Sequence, residues 1–423
     1  MSRAWPLAIV AAFSLAAPGA AQLLPGAPQL PVSVPRLPIE RPIERIQQLG
    51  GHTVERVLEQ ARLRRIASFV HDNRATIDRD DRGFPAVRGE ILLTAPESGD
   101  LDALRQNGFA VIDDETIAGL GLRTIRLAIP HGMSLAKAVK AAHAIAGDRV
   151  SANNILFRSG EAMAADTPPV AAMAPDRAAA ADPVAIGLID GGVAATPLIP
   201  GRVTQRGFAT GGPAPDRHAT AVASLLIGEG KVRGADPGAH LFAADVYGRD
   251  PAGGNALAIA TALGWMVENR VAVVTISLVG PPNGLLARAV QLAQDKGVTI
   301  VAAVGNDGPA APPAYPASYP GVIAVTGVDR HRKALVEAGH ALHLDYAAPG
   351  ADMLAALPGQ GTATVRGTSF AAPLAAGRLA ALMAADGDGA RTALDREAVD
   401  LGAEGADPVY GRGLVCGECA TRP

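Results

Sequence analysis

Three polar side chains in the second half of the chain, Asp190, His218 and Ser369, are of the types that acyl transfer by a serine requires. Serine is a weak nucleophile at neutral pH, so a neutral imidazole must take its proton. A buried carboxylate fixes the tautomer of that imidazole and stabilises the imidazolium as it forms. The chain order Asp, His, Ser is one of the orders in which this chemistry occurs. The three residues are therefore candidates for one catalytic site.

Each of these residues also has an ordinary structural explanation when it is taken alone. Asp190 ends an apolar run and precedes Gly191 and Gly192, as a turn residue does. His218 opens a helical run, where a capping or surface histidine would stand. Ser369 stands at the start of an Ala-rich helix, where serine is a common N-cap. Only their combination favours catalysis.

Asn306 is a fourth candidate, because it follows Gly305 at the end of the apolar run 298–304. The sequence Asn-Asp-Gly also favours a turn. If the run is a strand, however, the carboxamide projects at the same sheet edge as the first three candidates. We therefore interpret Asn306 as an oxyanion donor beside the backbone N–H of Ser369. No Gly-x-Ser-x-Gly pattern surrounds Ser369, so the α/β-hydrolase arrangement is not indicated.

Residues 183–423 alternate between strand and helix patterns. Several strand candidates are continuous apolar runs, which is typical of strands buried on both faces. We therefore predict an α/β fold in which helices flank a parallel β-sheet. The strand candidates are 184–190, 240–247, 271–278, 298–305, 321–328 and 344–348, and the helix candidates are 217–228, 255–269, 284–296, 369–385 and 389–400.

Residues 88–158 have a different pattern, in the order β-α-β-β-α-β, which predicts a small α+β, ferredoxin-like domain. The charged residues at 78–83 that precede it are interpreted as a solvated loop. The strand candidates of the domain are 89–94, 109–112, 124–129 and 150–157, and its helix candidates are 101–107 and 134–146.

The N-terminal 21 residues have a basic start, a short apolar core and small residues at 19 and 21, which together indicate a secretory signal peptide. We therefore expect an exported protein, periplasmic or extracellular, with no membrane span in the mature chain. The predicted organisation is a signal peptide at 1–21, a Pro-rich arm and helical segment at 22–87, the α+β domain at 88–158, a linker at 159–182 and a catalytic domain at 183–423.

The segment Gly367-Thr368-Ser369-Phe370-Ala371-Ala372-Pro373 resembles the motif around the nucleophile of the subtilisin-like serine proteases, the subtilases. The resemblance covers about residues 183–415. It implies that Asp190 orients His218, that His218 is the general base, that Ser369 is the nucleophile, and that Asn306 is the oxyanion donor. It also implies that Ser277, Leu278, Val279 and Gly280 form the strand that pairs with an extended peptide substrate.

The resemblance gives the α+β domain a role, because many subtilases carry a propeptide of that fold. It implies that residues 88–158 act as an intramolecular inhibitor and that processing occurs in the linker 159–182, near Met163 or Met173. Calcium is common in the family, but no dense Asp/Asn loop indicates a calcium site here, and no metal ligand is assigned. Asp216, for example, is interpreted as a solvated or capping residue.

Two residues depart from the family pattern. Gly191 follows the catalytic Asp, where Ser or Thr is usual, and Ala219 follows the catalytic His, where Gly is usual. The extra methyl of Ala219 is expected to crowd the cleft or to shift the start of its helix. Neither change removes a reacting group.

Composition narrows the choice of function. The formal net charge is −3, so no basic surface for nucleic acid is indicated. The only two cysteines, Cys416 and Cys419, form either a local disulfide or two free thiols. The leading hypothesis is a serine endopeptidase that is made as a zymogen and acts on protein or peptide substrates. The alternative is a catalytically degenerate subtilase that binds peptides.

Overall fold

The N-terminal part of the computed structural model is a helix followed by a small sheet. The structure describes residues 51–159, 161–164, 184–199, 202–359 and 361–423, so the predicted signal peptide lies outside the described residues. The first elements are α1 (Gly51–Asp72), β1 (Ile77–Arg79), β2 (Pro85–Thr94), α2 (Asp100–Gln106), β3 (Ala110–Ile117), β4 (Leu122–Ala128), α3 (Leu135–Ala146) and β5 (Val150–Asn154).

The run from β2 to β5 has the predicted order β-α-β-β-α-β. Its four strands are antiparallel, with β2 between β4 and β5, and with β3 on the far side of β4. Leu104 of α2 and Val139 of α3 pack with Ile91 and Leu93 of β2 in a core of their own. The predicted strand 150–157 is too long, because the chain leaves this sheet after Asn154.

The prediction of a solvated loop at 78–83 is wrong for Asp80, whose side chain is buried. Its Oδ1 accepts hydrogen bonds from the backbone N–H groups of Arg82 and Phe84, at 3.0 and 2.8 Å. Its Oδ2 accepts a third from Asn154 Nδ2, at 2.9 Å. The carboxylate therefore ties the turn before β2 to the end of β5, which a charge pattern alone does not reveal.

Two short strands, β6 (Phe157–Arg158) and β7 (Glu161–Ala164), leave the small sheet and pair with strands of the second half of the chain. The elements of that half are β8 (Ala185–Asp190), β9 (Gly192–Val193), β10 (Val203–Gly207), β11 (Pro215–Asp216), α4 (Arg217–Ile227), β12 (His240–Asp245), α5 (Ala256–Glu268), β13 (Val273–Ile276), β14 (Leu278–Val279), α6 (Gly284–Asp295), β15 (Thr299–Ala303), β16 (Ile323–Val328), β17 (Tyr346–Pro349), β18 (Ala351–Ala356), β19 (Thr362–Arg366), α7 (Thr368–Asp386) and α8 (Ala390–Glu397).

Seven of these strands form a parallel sheet in the order β10-β12-β8-β13-β15-β16-β17, which confirms the predicted α/β fold. Alternate residues of β15 enter two different cores. Val301 packs in the core that contains α4 and α7. Ile300 packs in the core that contains α5 and α6. Helices thus cover both faces, as the continuous apolar strands predicted.

The small sheet packs against the second of these cores. Leu92, Ile117 and Leu122 of its strands are buried together with Leu263 and Trp265 of α5. The two parts of the chain therefore share one apolar interface within the compact unit Gln47–Pro423.

One stretch of the described residues, Thr368–Glu397, is long and apolar enough to cross a membrane by length and composition. Its most apolar window is 72% buried inside the protein. The stretch contains α7, which packs in the core of the seven-stranded sheet and carries Ser369 at its start.

The structure decides between the two alternatives for the cysteines, because Cys416 and Cys419 form a disulfide. The bond lies in the C-terminal segment, where the carbonyl of Thr421 accepts a hydrogen bond from the N–H of Leu354 in β18.

Candidate active site

Asp190, His218 and Ser369 meet at the carboxyl end of the parallel sheet. Asp190 is the last residue of β8, and His218 and Ser369 are the second residues of α4 and α7. His218 Nδ1 lies 2.8 Å from Asp190 Oδ2, and His218 Nε2 lies 2.9 Å from Ser369 Oγ. All three side chains are buried. This is the hydrogen-bonded chain through which an imidazole takes a proton from a serine hydroxyl.

The carboxyl group of Asp190 is held in its ionised form. Burial favours the neutral acid, but the charge and the hydrogen bond of His218 oppose it, as do the Arg158 guanidinium and the N–H of Gly191 at 2.7 Å. Together they hold the pKa of Asp190 below its ordinary value of 3.8. An ionised Asp190 is the form that stabilises an imidazolium at His218.

The start of α4 is fixed by an N-cap directly before His218. Asp216 Oδ1 accepts a hydrogen bond from the backbone N–H of Ala219 at 2.9 Å. The side chain of Ala219 is fully buried, and both hydrogen bonds of the imidazole keep ordinary lengths. The extra methyl of Ala219 therefore does not separate the three residues.

Asn306 lies beside the start of α7, three residues beyond the buried end of β15. Its Oδ1 accepts a hydrogen bond from the backbone N–H of Thr368 at 3.0 Å. This bond holds the carboxamide by its oxygen and leaves Nδ2 as its donor end. The structure thus brings Asn306 together with the other three predicted site residues.

The backbone N–H of Ser369 donates a hydrogen bond to the carbonyl oxygen of Ser159, at 3.1 Å. This N–H is the one that we expected to bind an oxyanion. Ser159 is itself buried, and its Oγ lies 3.2 Å from the carbonyl oxygen of Ser277. A carbonyl group of the chain therefore accepts the hydrogen bond that was predicted for a substrate oxygen.

The residues before Ser159 lie in the cleft as an extended strand. In the antiparallel pairing of β6 with β14, Arg158 is opposite Leu278 and Phe157 is opposite Val279. On the other side, the N–H of Leu156 donates to the carbonyl of Gly254 at 2.8 Å. The strand expected to bind substrate thus pairs with a segment of the same chain, by the main-chain pattern of β-augmentation.

The residues after Ser159 continue along another strand. In β7, Met163 is opposite Thr364 of β19, and Glu161 is opposite Arg366. Since β19 leads directly into α7, the chain passes Ser369 between its pairing with β14 and its pairing with β19. The backbone of Met163 therefore lies beyond Ser369, while Met173 is outside the described residues.

The role of Arg158 in this site was not predicted from the sequence. Its Nη2 lies 3.1 Å from Asp216 Oδ2, and its Nε lies 3.5 Å from Asp190 Oδ1. Its guanidinium also stacks on the ring of Tyr247, with 3.8 Å between Cζ and the ring centroid. Asp216 caps α4, which is one of the two roles predicted for it, and its side chain is only partly exposed. The sequence feature that could have indicated the position of Arg158 is Gly191, because its missing side chain leaves space for the guanidinium.

Within the described part of the chain, one group of three His, Cys, Asp or Glu side chains has its potential metal-ligand atoms within 4.8 Å of one another. This group consists of Asp190, Asp216 and His218. Here the chain itself supplies a cation, because Arg158 contacts both carboxylates. His218 Nδ1 is hydrogen-bonded to Asp190. We derive no catalytic step through a metal from this group.

A buried Asp-His-Ser chain at the edge of an α/β sheet defines a serine hydrolase. Residues 184–413, more than half of the chain, match the model described as the subtilase family. Subtilisin BL from Lederbergia lenta is 35% identical over 213 residues, which are 48% of this chain and 77% of the relative. Subtilisin DY from Bacillus licheniformis is 29% identical over 253 residues, 56% of this chain and 91% of the relative.

The fold is also similar to fervidolysin from Fervidobacterium pennivorans, a keratinolytic enzyme related to subtilisin. That crystal structure matches with a TM-score of 0.63 at 19% identity, over 78% of this chain and 60% of the other. The chain belongs to the subtilase family. It is a serine-type endopeptidase, a hydrolase.

Proposed function

We propose that the protein is an exported subtilase made as a zymogen, and that Asp190, His218, Ser369 and Asn306 carry its catalysis. The observation that supports this best is the unbroken hydrogen-bonded chain from Asp190 through His218 to Ser369. The carbonyl of Ser159 on the N–H of Ser369 supports the zymogen, since a segment of the chain then fills the cleft. The substrates are proteins or peptides in extended conformation.

The geometry supports a reaction in two steps, the acylation and the deacylation of Ser369. Ser369 Oγ attacks the substrate carbonyl carbon while its proton passes to His218 Nε2, and Asp190 stabilises the imidazolium. The N–H of Ser369 and Asn306 Nδ2 hydrogen-bond to the negative oxygen of the tetrahedral intermediate. The C–N bond then breaks as His218 returns the proton to the leaving amine. Water attacks the acyl-enzyme by the same route, which releases the acid and restores Ser369.

The first bond cut is the one between Ser159 and Gly160. Ser159 is the residue whose carbonyl reaches the N–H of Ser369, whereas Met163 lies farther on, in β7. Cleavage after Ser159 leaves residues up to 159 bound in the cleft as a product. This bond lies at the start of the predicted linker 159–182.

Residues 88–158 act as the intramolecular inhibitor. Beyond the apolar interface with α5, their last strand is hydrogen-bonded to the starts of two helices of the catalytic domain. Asn153 Oδ1 accepts from the N–H of Leu257 at 3.1 Å. Asn283 Nδ2 donates to the carbonyl of Ala152 at 2.7 Å and lies 3.0 Å from Asn154 Oδ1. These contacts hold β5, and with it the segment 155–159, at the cleft.

Export to the periplasm or the extracellular space is supported by two features. The N-terminal 21 residues have the composition of a secretory signal peptide. The Cys416–Cys419 disulfide is of a kind that persists in oxidising compartments.

The test uses the full chain and its Ser369→Ala variant. We expect wild-type protein to be labelled by a fluorophosphonate at Ser369, to hydrolyse casein, and to yield a fragment ending at Ser159 by mass spectrometry. Ser369→Ala should remain uncut and inert. Ser318→Ala changes another buried serine, whose Oγ donates to the carbonyl of Ala314 and contacts no residue of the proposed catalytic chain, and should keep all three properties.

Wild-type protein that is neither labelled nor cut would overturn the proposal. If it then still bound peptides as tightly as Ser369→Ala does, the alternative hypothesis of a peptide-binding subtilase would be favoured. Cleavage at another bond would refute only the assignment of Ser159.

A further inference from the structure

Arg158 occupies the position two residues before the bond that we propose is cut. Its backbone pairs with Leu278 in β14, so its side chain is placed by the same pairing that would place a substrate. The guanidinium contacts Asp216 at 3.1 Å and Asp190 at 3.5 Å, and it stacks on Tyr247 at 3.8 Å. The side chain keeps about a third of its surface exposed, at 32%. One cationic group thus meets two carboxylates and an aromatic face.

The walls of this pocket are held by other bonds. Tyr247 Oη donates to the carbonyl of Leu156 at 2.8 Å, so the extended segment in the cleft itself helps to hold the ring. Asp245 Oδ1 accepts from the N–H groups of Tyr247 and Gly248, at 3.0 and 2.8 Å, which fixes the turn that carries the ring. Asp216 is fixed as the N-cap of α4. The pocket is therefore built from anchored groups.

Gly191 gives the guanidinium its space. A Cβ at this position would lie 2.8 Å from Asp216 Cβ and 3.0 Å from Arg158 Nη2. Both distances are shorter than ordinary van der Waals contact. The glycine that departs from the family pattern is thus the residue that allows an arginine to enter between Asp216 and Asp190.

We propose that Asp216, Tyr247 and Gly191 form an arginine-selective subsite, which selects substrates with arginine two residues before the cut bond. The proposal rests on the proposed function and names its substrate class: extended peptides with arginine at that position and a small residue, as in Ser159, directly before the cut. A planar guanidinium fits this pocket better than an ammonium, since it stacks on an aromatic ring and donates hydrogen bonds from several N–H groups in its plane.

The charges in the pocket favour a cationic occupant. Burial and the neighbouring carboxylate of Asp190 raise the pKa of Asp216, whereas the Arg158 guanidinium acts in the opposite direction and favours the ionised form. A bound arginine therefore offsets part of the cost of this buried charge. Its own pKa stays above the ordinary value despite burial, because Asp190, Tyr247, Asp216 and Asp245 favour its charge. A neutral side chain of similar length would leave Asp216 without the guanidinium that it contacts here.

The test uses mature enzyme that the full chain has produced by its own processing. Quenched fluorescent peptides of sequence Leu-Phe-Xaa-Ser-Gly, with Arg, Lys, Gln or Ala at Xaa, are compared by kcat/KM. Fluorophosphonate titration sets the concentration of active sites, so a lack of catalysis is distinguished from a lack of selectivity. We expect arginine to exceed glutamine by about tenfold or more, with lysine between them.

Asp216→Asn isolates the charge of the pocket, since asparagine also caps helices well. We expect the arginine-to-glutamine ratio to fall below about threefold in this variant. Asp295→Asn removes the same charge from an exposed position at the end of α6, and the ratio should stay at the wild-type value. A wild-type ratio below threefold, or a ratio that Asp216→Asn leaves unchanged, would overturn the proposal.

A second measurement does not depend on catalysis. In full-chain Ser369→Ala, which should not cut itself, hydrogen exchange of residues 155–159 reports how firmly the segment is held. We expect exchange about tenfold faster with Arg158→Gln or with Asp216→Asn added, and no faster when both are added. Unchanged exchange, or effects that multiply in the combined variant, would refute the pairing of Arg158 with Asp216.

Discussion

The backbone N–H of Ser369 donates its hydrogen bond to the carbonyl oxygen of Ser159. Under the proposed function this N–H is needed for the negative oxygen of each tetrahedral intermediate. As long as Ser159 stays in place, no other carbonyl can take this position. Under the proposed function, this one hydrogen bond therefore takes part both in the first cleavage and in the inhibition that follows.

Asn306→Ala is expected to lower kcat by about 10²–10³, the range known for the loss of one oxyanion donor in serine proteases. KM should change little, because the developing negative charge exists only in the transition state. The substitution also removes the acceptor for the N–H of Thr368, so stability should fall by about 1 kcal/mol. Steady-state kinetics with peptide substrates and urea unfolding measure the two effects separately.

Asn306→Asp is the control for the role of Asn306 as an oxyanion donor, since aspartate keeps an acceptor for the N–H of Thr368 but has no N–H to donate. Its loss of kcat should be at least as large as that of the alanine variant. If Asn306→Asp retained wild-type kcat, the residue would serve only to fix the start of α7.

Gly191→Ser introduces the type of residue that the family usually has after the catalytic Asp. The new Cβ would meet Asp216 and Arg158 at 2.8 and 3.0 Å, so one of them must move. We expect self-cleavage after Ser159 to slow by about tenfold, followed by gel electrophoresis of the full chain over time. Gly389→Ser is the matched control, because its nearest neighbour would be 3.7 Å away and its φ of −77° suits any residue. Equal rates in the two variants would contradict the prediction.

The elements that position the site were predictable because their patterns are strong and local. Buried parallel strands such as β15 are continuous apolar runs, and α5 and α6 begin at asparagines that cap them. Asp190 ends such a strand and Asn306 follows one, whereas His218 and Ser369 lie in the first turns of helices. The pattern that locates the elements therefore also locates these residues.

The missed features depend on contacts between distant parts of the chain. The edge strand β10 has a half-buried, alternating pattern without an apolar run, and the antiparallel hairpin of β18 and β19 was not predicted. The meeting of Arg158 with Asp216 requires that β6 leave the small sheet and pair with β14. No local periodicity encodes that path, since a continued strand to 157 satisfies the same apolar pattern.

The contribution of Asp190 to stability should depend on pH in a known direction. Burial alone would raise its pKa, but His218, Arg158 and the N–H of Gly191 lower it below the ordinary value of 3.8. The unfolded chain therefore takes up this proton first as the pH falls. The stability that the carboxylate contributes is fully present above the unfolded pKa and is lost as the pH falls through the folded pKa.

Urea unfolding of full-chain Ser369→Ala, with and without Asp190→Asn, measures this dependence on an uncut protein. As the pH is lowered from about 4 to 2, the free energy of unfolding of the protein with Asp190 should fall relative to that of the Asp190→Asn variant. A difference that shifted in favour of the aspartate form over this range would show that the folded pKa of Asp190 is raised.

Leu156→Ala should shorten the time for which the cleaved N-terminal part inhibits the enzyme. Leu156 is fully buried, and its side chain fills the space above Gly280, where a Cβ would lie 2.7 Å from Leu156 Cγ. Losing a buried leucine side chain costs about 2 kcal/mol or more, so release should be about 30-fold faster. The lag before casein hydrolysis by freshly processed enzyme measures the rate of this release.

Ile112→Ala is the matched control, because it removes exposed apolar surface from the same small domain and should leave the lag unchanged. If Leu156→Ala kept the wild-type lag, the contact of β2, β3 and β4 with α5 would set the lifetime of the inhibited state. The small domain would then hold the segment 155–159 in the cleft, and the segment would contribute little to the binding of the domain.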